Sequence, residues 1–213
     1  VGRDPAARGL GRLMADERSR RDLLTGWVGL FRGRAGRGSA APRRDPNTVL
    51  RPPGALSPDE RFLAACTGCG DCLPVCPVEC LFLMVDDSGR TIAAIDPAFR
   101  ACHLCTNLPC VAACPDGALA PLDGPERVRI GIARVDPRRC VTFRGEPCDA
   151  CYRACPYPDR ALMVIGGRPL VGSGACTGCG LCQHACPERP HAIAVVPERN
   201  LVPGMRIPKD EMY

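Results

Sequence analysis

Large apolar side chains are scarce in this chain: aromatics make up 4% of its 213 residues, with one tryptophan, while glycine and proline contribute 23 each. A sequence so composed cannot build a large oily core, so something other than apolar packing has to hold it together. No apolar run is long enough to span a membrane. There is no nucleotide-binding glycine loop and no nucleophile elbow, and the three histidines lie apart in sequence, which leaves an autonomous enzyme without recognisable machinery. Aromatic stacking positions and a recognition motif are also missing from the basic N-terminal region, which argues against nucleic-acid binding.

What the chain has in quantity is cysteine, seventeen in all. Sixteen fall into four motifs. Cys66, Cys69, Cys72 and Cys76, and again Cys176, Cys179, Cys182 and Cys186, follow Cys-x2-Cys-x2-Cys-x3-Cys-Pro, the spacing of bacterial ferredoxins. Two-residue gaps wrap the backbone over one face of an iron-sulfur cube, and Gly178 and Gly180 can take the angles so tight a loop demands. The second motif, Cys102, Cys105, Cys110 and Cys114, opens its middle gap to four residues, and the third, Cys140, Cys148, Cys151 and Cys155, opens its first gap to seven. Both insertions end in a proline just before a ligand, so they read as excursions from the cluster loop. A disulfide framework or structural zinc would space its ligands differently, zinc usually in two separated pairs. The sixteen cysteines are therefore the candidate ligands, through iron, of four [4Fe-4S] clusters. Each first trio should hold one cube, and each Cys-Pro cysteine should cross to a neighbouring motif.

Charge changes meaning once clusters are counted. The formal value of +5 falls to about −3 if each of four clusters, with its thiolates, carries about −2. Residues 1–54 hold twelve arginines against five acids. A basic arm thus precedes an acidic, cluster-bearing region.

Three regions follow: an arm over 1–61, the motifs over 62–199 and a tail over 200–213. The arm, rich in Arg, Gly and Pro, is expected to be largely unstructured. Its Ser19-Arg20-Arg21-Asp22-Leu23-Leu24, followed by Trp27, Leu30 and Phe31, is similar to a twin-arginine export signal, but Asp22 and the glycines break the apolar region such a signal needs. The segment 19–31 then reads as a short docking element. After each Cys-Pro comes a short apolar run expected to be a strand: Leu81 to Val85, Ala118 to Ala120, Ala161 to Ile165 and Ala192 to Val196. Return strands are expected at Thr91 to Ile95 and Val128 to Val135, giving hairpins between cluster loops. The Cys-Pro cysteines recur at intervals of 38, 41 and 31 residues, an internal repeat. The fold class is α+β, two ferredoxin-like halves of two clusters each with short hairpins and helical turns. His103 and His184 lie inside cluster motifs and are candidates for tuning a potential. Cys80, the seventeenth cysteine, stands where Ala118 stands in the next repeat and reads as a small buried side chain.

The order of the irregular motifs, Cys102-His-Leu-Cys-Thr-Asn-Leu-Pro-Cys, then Cys140-Val-Thr-Phe-Arg-Gly-Glu-Pro-Cys, then Cys176-Thr-Gly-Cys-Gly, resembles the NapG and MauM ferredoxin-type proteins over roughly residues 62–204. That resemblance implies four [4Fe-4S] clusters carrying electrons between a membrane quinol dehydrogenase, or a ferredoxin-type donor, and a redox partner such as a molybdoenzyme or a cytochrome. Ser19 to Trp27 is instead similar to the start of NapF, a cytoplasmic relative. That similarity implies the alternative of an accessory protein for assembly or reactivation of a molybdenum-containing oxidoreductase. Pairing like motif with like, as the resemblance to polyferredoxin subunits of molybdoenzymes implies, joins Cys66, Cys69 and Cys72 with Cys186, and Cys176, Cys179 and Cys182 with Cys76. It also joins Cys102, Cys105 and Cys110 with Cys155, and Cys140, Cys148 and Cys151 with Cys114. Sequential pairing is the rival. Intervals of 26, 26 and 21 residues between motifs do not separate the two.

Because charge interrupts the apolar stretch after Arg21, the arm is expected to stay on the chain in the cytoplasm, at the inner face of the membrane, with Met14 as the working start. N-terminal sequencing of a C-terminally tagged chain tests this. A periplasmic product beginning near Ala41 would reverse it.

Overall fold

The computed structural model describes residues 44–202 and 204–206, so the expectations for 19–31, and for every other residue before 44, lie outside the described residues. The strands arise where short apolar runs follow a Cys-Pro turn. β1 (Leu81–Val85) pairs antiparallel with β2 (Thr91–Ile95), Leu81 opposite Ile95 and Val85 opposite Thr91. Asp86 closes their turn, its carboxylate accepting the backbone N–H groups of Ser88 and Arg90. β4 (Leu162–Ile165) makes the matching hairpin with β5 (Arg168–Val171) across Gly166 and Gly167.

The remaining strand pairs differ from the expected hairpins. β3 (Gly131–Val135) does not fold back on Ala118 to Ala120. It pairs with β6 (Ile193–Pro197), Gly131 opposite Pro197 and Val135 opposite Ile193. Ala118 to Ala120 pairs instead with the segment just before the first motif. Leu56 N–H donates to Ala118 O at 3.1 Å and Ala120 N–H to Gly54 O at 2.7 Å. The two halves therefore follow one plan. A strand ahead of the first motif pairs with the run after the second, and a hairpin lies between.

Helices are short, and three of them seat the third cysteine of a motif: α2 (Pro109–Ala112) holds Cys110, α3 (Ala150–Arg153) holds Cys151 and α4 (Leu181–Ala185) holds Cys182. In α2 the proline that ends the four-residue gap sits at the first helical position, where its missing N–H leaves nothing unpaired. The longer α1 (Asp59–Ala65) carries Asp59 and Glu60 in its first turn, where acids meet the positive end of the helix dipole, and delivers the chain to Cys66.

The boundary expected at residue 61 moves. Residues 44–61 belong to the folded body, because Val49, Leu50, Pro52 and Pro53 are buried and Leu50 exchanges both backbone hydrogen bonds with Ile95, at 2.8 and 2.9 Å. Burying a side chain such as Leu50 or Phe62 contributes about 1.5–3 kcal/mol, enough to hold down a segment whose composition alone reads as loose. Arg51 adds two bonds to the Asp59 carboxylate, both at 2.8 Å, on the flank of α1. At the other end Arg206 pins the start of the tail. It pairs with Glu198 and donates to the carbonyls of Ser173, Cys176 and Gly131.

If residues 44–61 are core, Leu50→Ala should lower unfolding stability by about 2–5 kcal/mol, as for a buried leucine. Val85→Ala, at an exposed site on β1, should change it by less than about 0.5 kcal/mol. Thermal or denaturant unfolding of the iron-loaded chain compares them, and equal effects would return the segment to the arm.

Candidate metal centres

The loops of the two regular motifs are held against a neighbouring strand by glycine. Gly178 sits at φ +79, and a Cβ there would lie 2.4 Å from the backbone of Gly131, so the loop of the fourth motif can reach β3 only as glycine. In the first motif, Gly68 makes the same approach to the Thr91 carbonyl, where a Cβ would lie at 2.6 Å.

The loops bring sixteen cysteines into four quartets. Cys66, Cys69, Cys72 and Cys114 line one hollow of about 360 Å³, walled by Phe62, Ala93 and Leu119. Cys155, Cys176, Cys179 and Cys182 line another of about 340 Å³. Cys140, Cys148, Cys151 and Cys186 line a third of about 380 Å³. Cys76, Cys102, Cys105 and Cys110 make up the fourth group. Burial pushes the Cys110 thiol up to about 12, and the nearby charges of Cys102 and Cys76 push it further the same way. Cys105 is raised by burial and by the same two neighbours.

This overturns the nested pairing. Cys186 joins Cys140, Cys148 and Cys151 rather than the first motif, Cys114 joins the first motif, Cys76 joins the second and Cys155 the fourth. The reason is the strand pairing. β3 and β6 bracket the third and fourth motifs, as Gly54 to Leu56 and Ala118 to Ala120 bracket the first and second, so each half closes on itself. Similarity of gap length carries no information about which loops become neighbours.

The residues fit iron-sulfur cubes. Zinc would need four sulfurs about 2.3 Å from one point. Among the described residues no group of three or more potential ligands converges that way, and the quartets instead surround apolar hollows. Donors point at the sulfurs. Ala133 N–H reaches Cys176 Sγ at 3.5 Å, Ala192 N–H reaches Cys186 Sγ at 3.4 Å, and the Thr142 hydroxyl lies 3.2 Å from Cys140 Sγ. Burial also raises Cys72 and Cys151 to about 11 and Cys179 to about 12. Left alone such thiols stay neutral, and bound iron is the charge that turns them into thiolates.

His103 and His184 are both solvent-exposed, so the tuning role considered for them finds no support in their placement. Sequence reasoning missed two other residues. Arg206 bonds the carbonyl of Cys176 itself, and the Gln183 side chain accepts the Val195 N–H at 2.8 Å, tying α4 to β6. A polar tail with a single arginine gave no signal for the first. The second needed knowledge of which strand lies beside α4.

Cys80 is buried, with its sulfur 3.6 Å from Cys76 Sγ. Its neighbour Cys102 and burial push the Cys80 thiol up, and Cys80 in turn holds Cys102 low.

The pairing can be read chemically on the full chain. With Cys66, Cys69 and Cys72 all replaced by alanine, the cysteine released from that quartet should be Cys114. Anaerobic alkylation and peptide mapping should find Cys114 labelled and Cys186 protected, whereas label at Cys186 would restore the nested arrangement.

Comparison with known families matches a 4Fe-4S dicluster domain over residues 65–118 and a second over 132–187. The ferredoxin-type protein NapG of Escherichia coli K12 is 39% identical over 148 residues, covering 62% of this chain and 63% of that protein. The methylamine utilization ferredoxin-type protein MauM of Methylorubrum extorquens is 40% identical over 146 residues, 62% of this chain and 65% of that one, and MauM of Paracoccus denitrificans is 37% identical over 144. The chain thus spans a little under two thirds of the length of these relatives. No solved structure matches it. The chain is a homologue of the NapG and MauM ferredoxin-type proteins, built on two 4Fe-4S dicluster domains that give it four [4Fe-4S] clusters.

Proposed function

We propose that the chain is an electron-transfer protein relaying electrons between a membrane quinol dehydrogenase, or a ferredoxin-type donor, and a redox enzyme such as a molybdoenzyme or a cytochrome. In this reading the sixteen motif cysteines are iron ligands in the four quartets described above. When bound, the clusters supply one-electron oxidation and reduction. The chain's part is to hold them dry, fixed and in sequence.

The observation that carries the reading is that the quartets are contiguous. Cys110 of the second quartet lies within the field of Cys72 in the first. Between halves, Cys102 N–H donates to Cys179 O at 3.0 Å, joining the second quartet to the one formed by Cys155, Cys176, Cys179 and Cys182. Cys182 there is raised by burial and by neighbouring cysteines that include Cys151 of the last quartet. Nine of the sixteen cysteines are buried, but Cys69 is exposed and Cys66 and Cys114 partly so in the first quartet, as are Cys148 and Cys151 in the last. The middle quartets have one partly exposed cysteine each, Cys105 and Cys155, against two or three at the ends, and that gradient of access suits a relay. The residence that suits it is the cytoplasm, at the inner face of the membrane, with the periplasm as the alternative should residues 19–31 direct export.

The test is a reconstituted chain of donor, holoprotein and acceptor. Loaded protein should hold about sixteen iron atoms, and Cys110→Ser about twelve. Quinol-dependent reduction of a molybdoenzyme or c-type cytochrome should require the loaded wild type and fall to background with Cys110→Ser. If turnover is indifferent to both and only activation of the apo-oxidoreductase responds, the relay is wrong and the accessory role stands.

A further inference from the structure

The four repeats contain an internal control at one position. The residue just ahead of the apolar Leu or Ile that follows each Cys-Pro turn is Cys80, Ala118, Ala161 or Ala192. All four are buried, at 5%, 2%, 4% and 2% exposure. Three times a methyl group is enough for the packing. In the first repeat a thiol stands there, and packing does not require its sulfur.

That sulfur is placed on the second quartet. It lies 3.6 Å from Cys76 Sγ, and Cys102 is near enough to push its thiol up, so it faces one cysteine from each of the two motifs that build the site. Both of those cysteines are buried, as is Cys80, so little water competes for the hydrogen bond. At other quartets comparable donors are backbone N–H groups or the Thr142 hydroxyl. A sulfur-to-sulfur distance of 3.6 Å is far outside a disulfide. With Cys76 and Cys102 bound to iron as thiolates, the thiol proton of Cys80 is the one available to share.

We propose that Cys80 donates a hydrogen bond to the ligand sulfurs Cys76 and Cys102 and so holds that one cluster at a higher reduction potential than alanine would. Reduction adds one electron to a cluster whose charge is spread over its sulfurs. A donor aimed at those sulfurs stabilises the more negative state, and its effect grows where solvent is absent. Cys80 is a positioning residue in this sense. It acts through Cys76 and Cys102 and is not itself an iron ligand. The inference rests on the ligand assignment proposed above.

The experiment is a redox titration of the fully loaded chain followed by electron paramagnetic resonance, comparing wild type, Cys80→Ala and Cys80→Ser. With about sixteen iron atoms in each protein, Cys80→Ala should move one of four midpoint potentials downward and leave three in place. Cys80→Ser, which keeps an O–H donor, should recover much of the shift. In deuterated buffer, one exchangeable proton coupled to that cluster should be present in wild type and absent from Cys80→Ala. Four unchanged potentials in Cys80→Ala at full iron content would reduce Cys80 to packing. Loss of about four irons from Cys80→Ala alone would make it a ligand and overturn the donor role. An iron deficit already present in wild type would count against the ligand assignment instead, so the two failures are distinguishable.

Discussion

A thiolate taken out of water is unfavourable unless positive charge sits beside it, and this fold buries nine of its sixteen motif cysteines. That constraint organises the rest of the molecule. With aromatics at 4% of the residues, apolar packing is a thin shell, Phe62, Leu50, Ile92, Ile95 and Leu162 among its largest fully buried members. The cysteines are themselves part of that core. Short helices and two-stranded sheets suffice because each needs only to deliver one or two sulfurs to a hollow and to cover it. Iron is then a structural requirement as much as a redox one: it converts raised, neutral thiols into ligands and ties loops from both ends of a half together.

Chemistry was legible in the sequence because cluster loops are local. Two-residue gaps, the Cys-Pro ending and the glycines at 178 and 180 act within a dozen residues, and the strands Leu81–Val85 and Ile193–Pro197 sit within a residue of the expected runs. Topology was not legible, because it is decided by strand pairs far apart in the chain. Nothing in Ala118-Leu119-Ala120 says that it pairs with Gly54 to Leu56 rather than with Val128 to Val135. Placing the motif-bearing region at residue 62 failed for the same reason. Composition describes what a segment could bury alone, whereas Leu50 is buried by Ile95, 45 positions further on. The nested pairing failed because it treated gap length as a label of partnership, when an insertion such as 106–109 only shapes the approach to its own ligand.

The order of the quartets in space follows from the same closure. Each half pairs its own motifs, and Cys102 N–H to Cys179 O is the backbone contact that joins their inner loops. Pro97 packs there against Gly180, where a Cβ would lie 2.3 Å from the proline ring. The fourth motif thus comes next to the second, and the third, with its seven-residue gap, lies at the far end. Chain order and cluster order differ. An insertion at an outer quartet adds outer surface, whereas one at an inner quartet would push the halves apart.

The placement of the two insertions obeys that distinction. In the third motif the added residues form a 3-10 turn, Val141–Arg144, whose Phe143 ring lies 5.0 Å beneath Arg168 of the β4–β5 hairpin. Arg144 and Glu146 stay exposed there, and Ile165 and Leu170 are exposed nearby on the hairpin. The second motif sits inside the row and must spend its two extra residues inward. Leu108 turns left-handed and is buried, and Pro109 starts the single helical turn that seats Cys110. One insertion adds outer surface and the other builds an inner ligand, and in both cases the closure of each half onto its own two motifs determines which role is open to it.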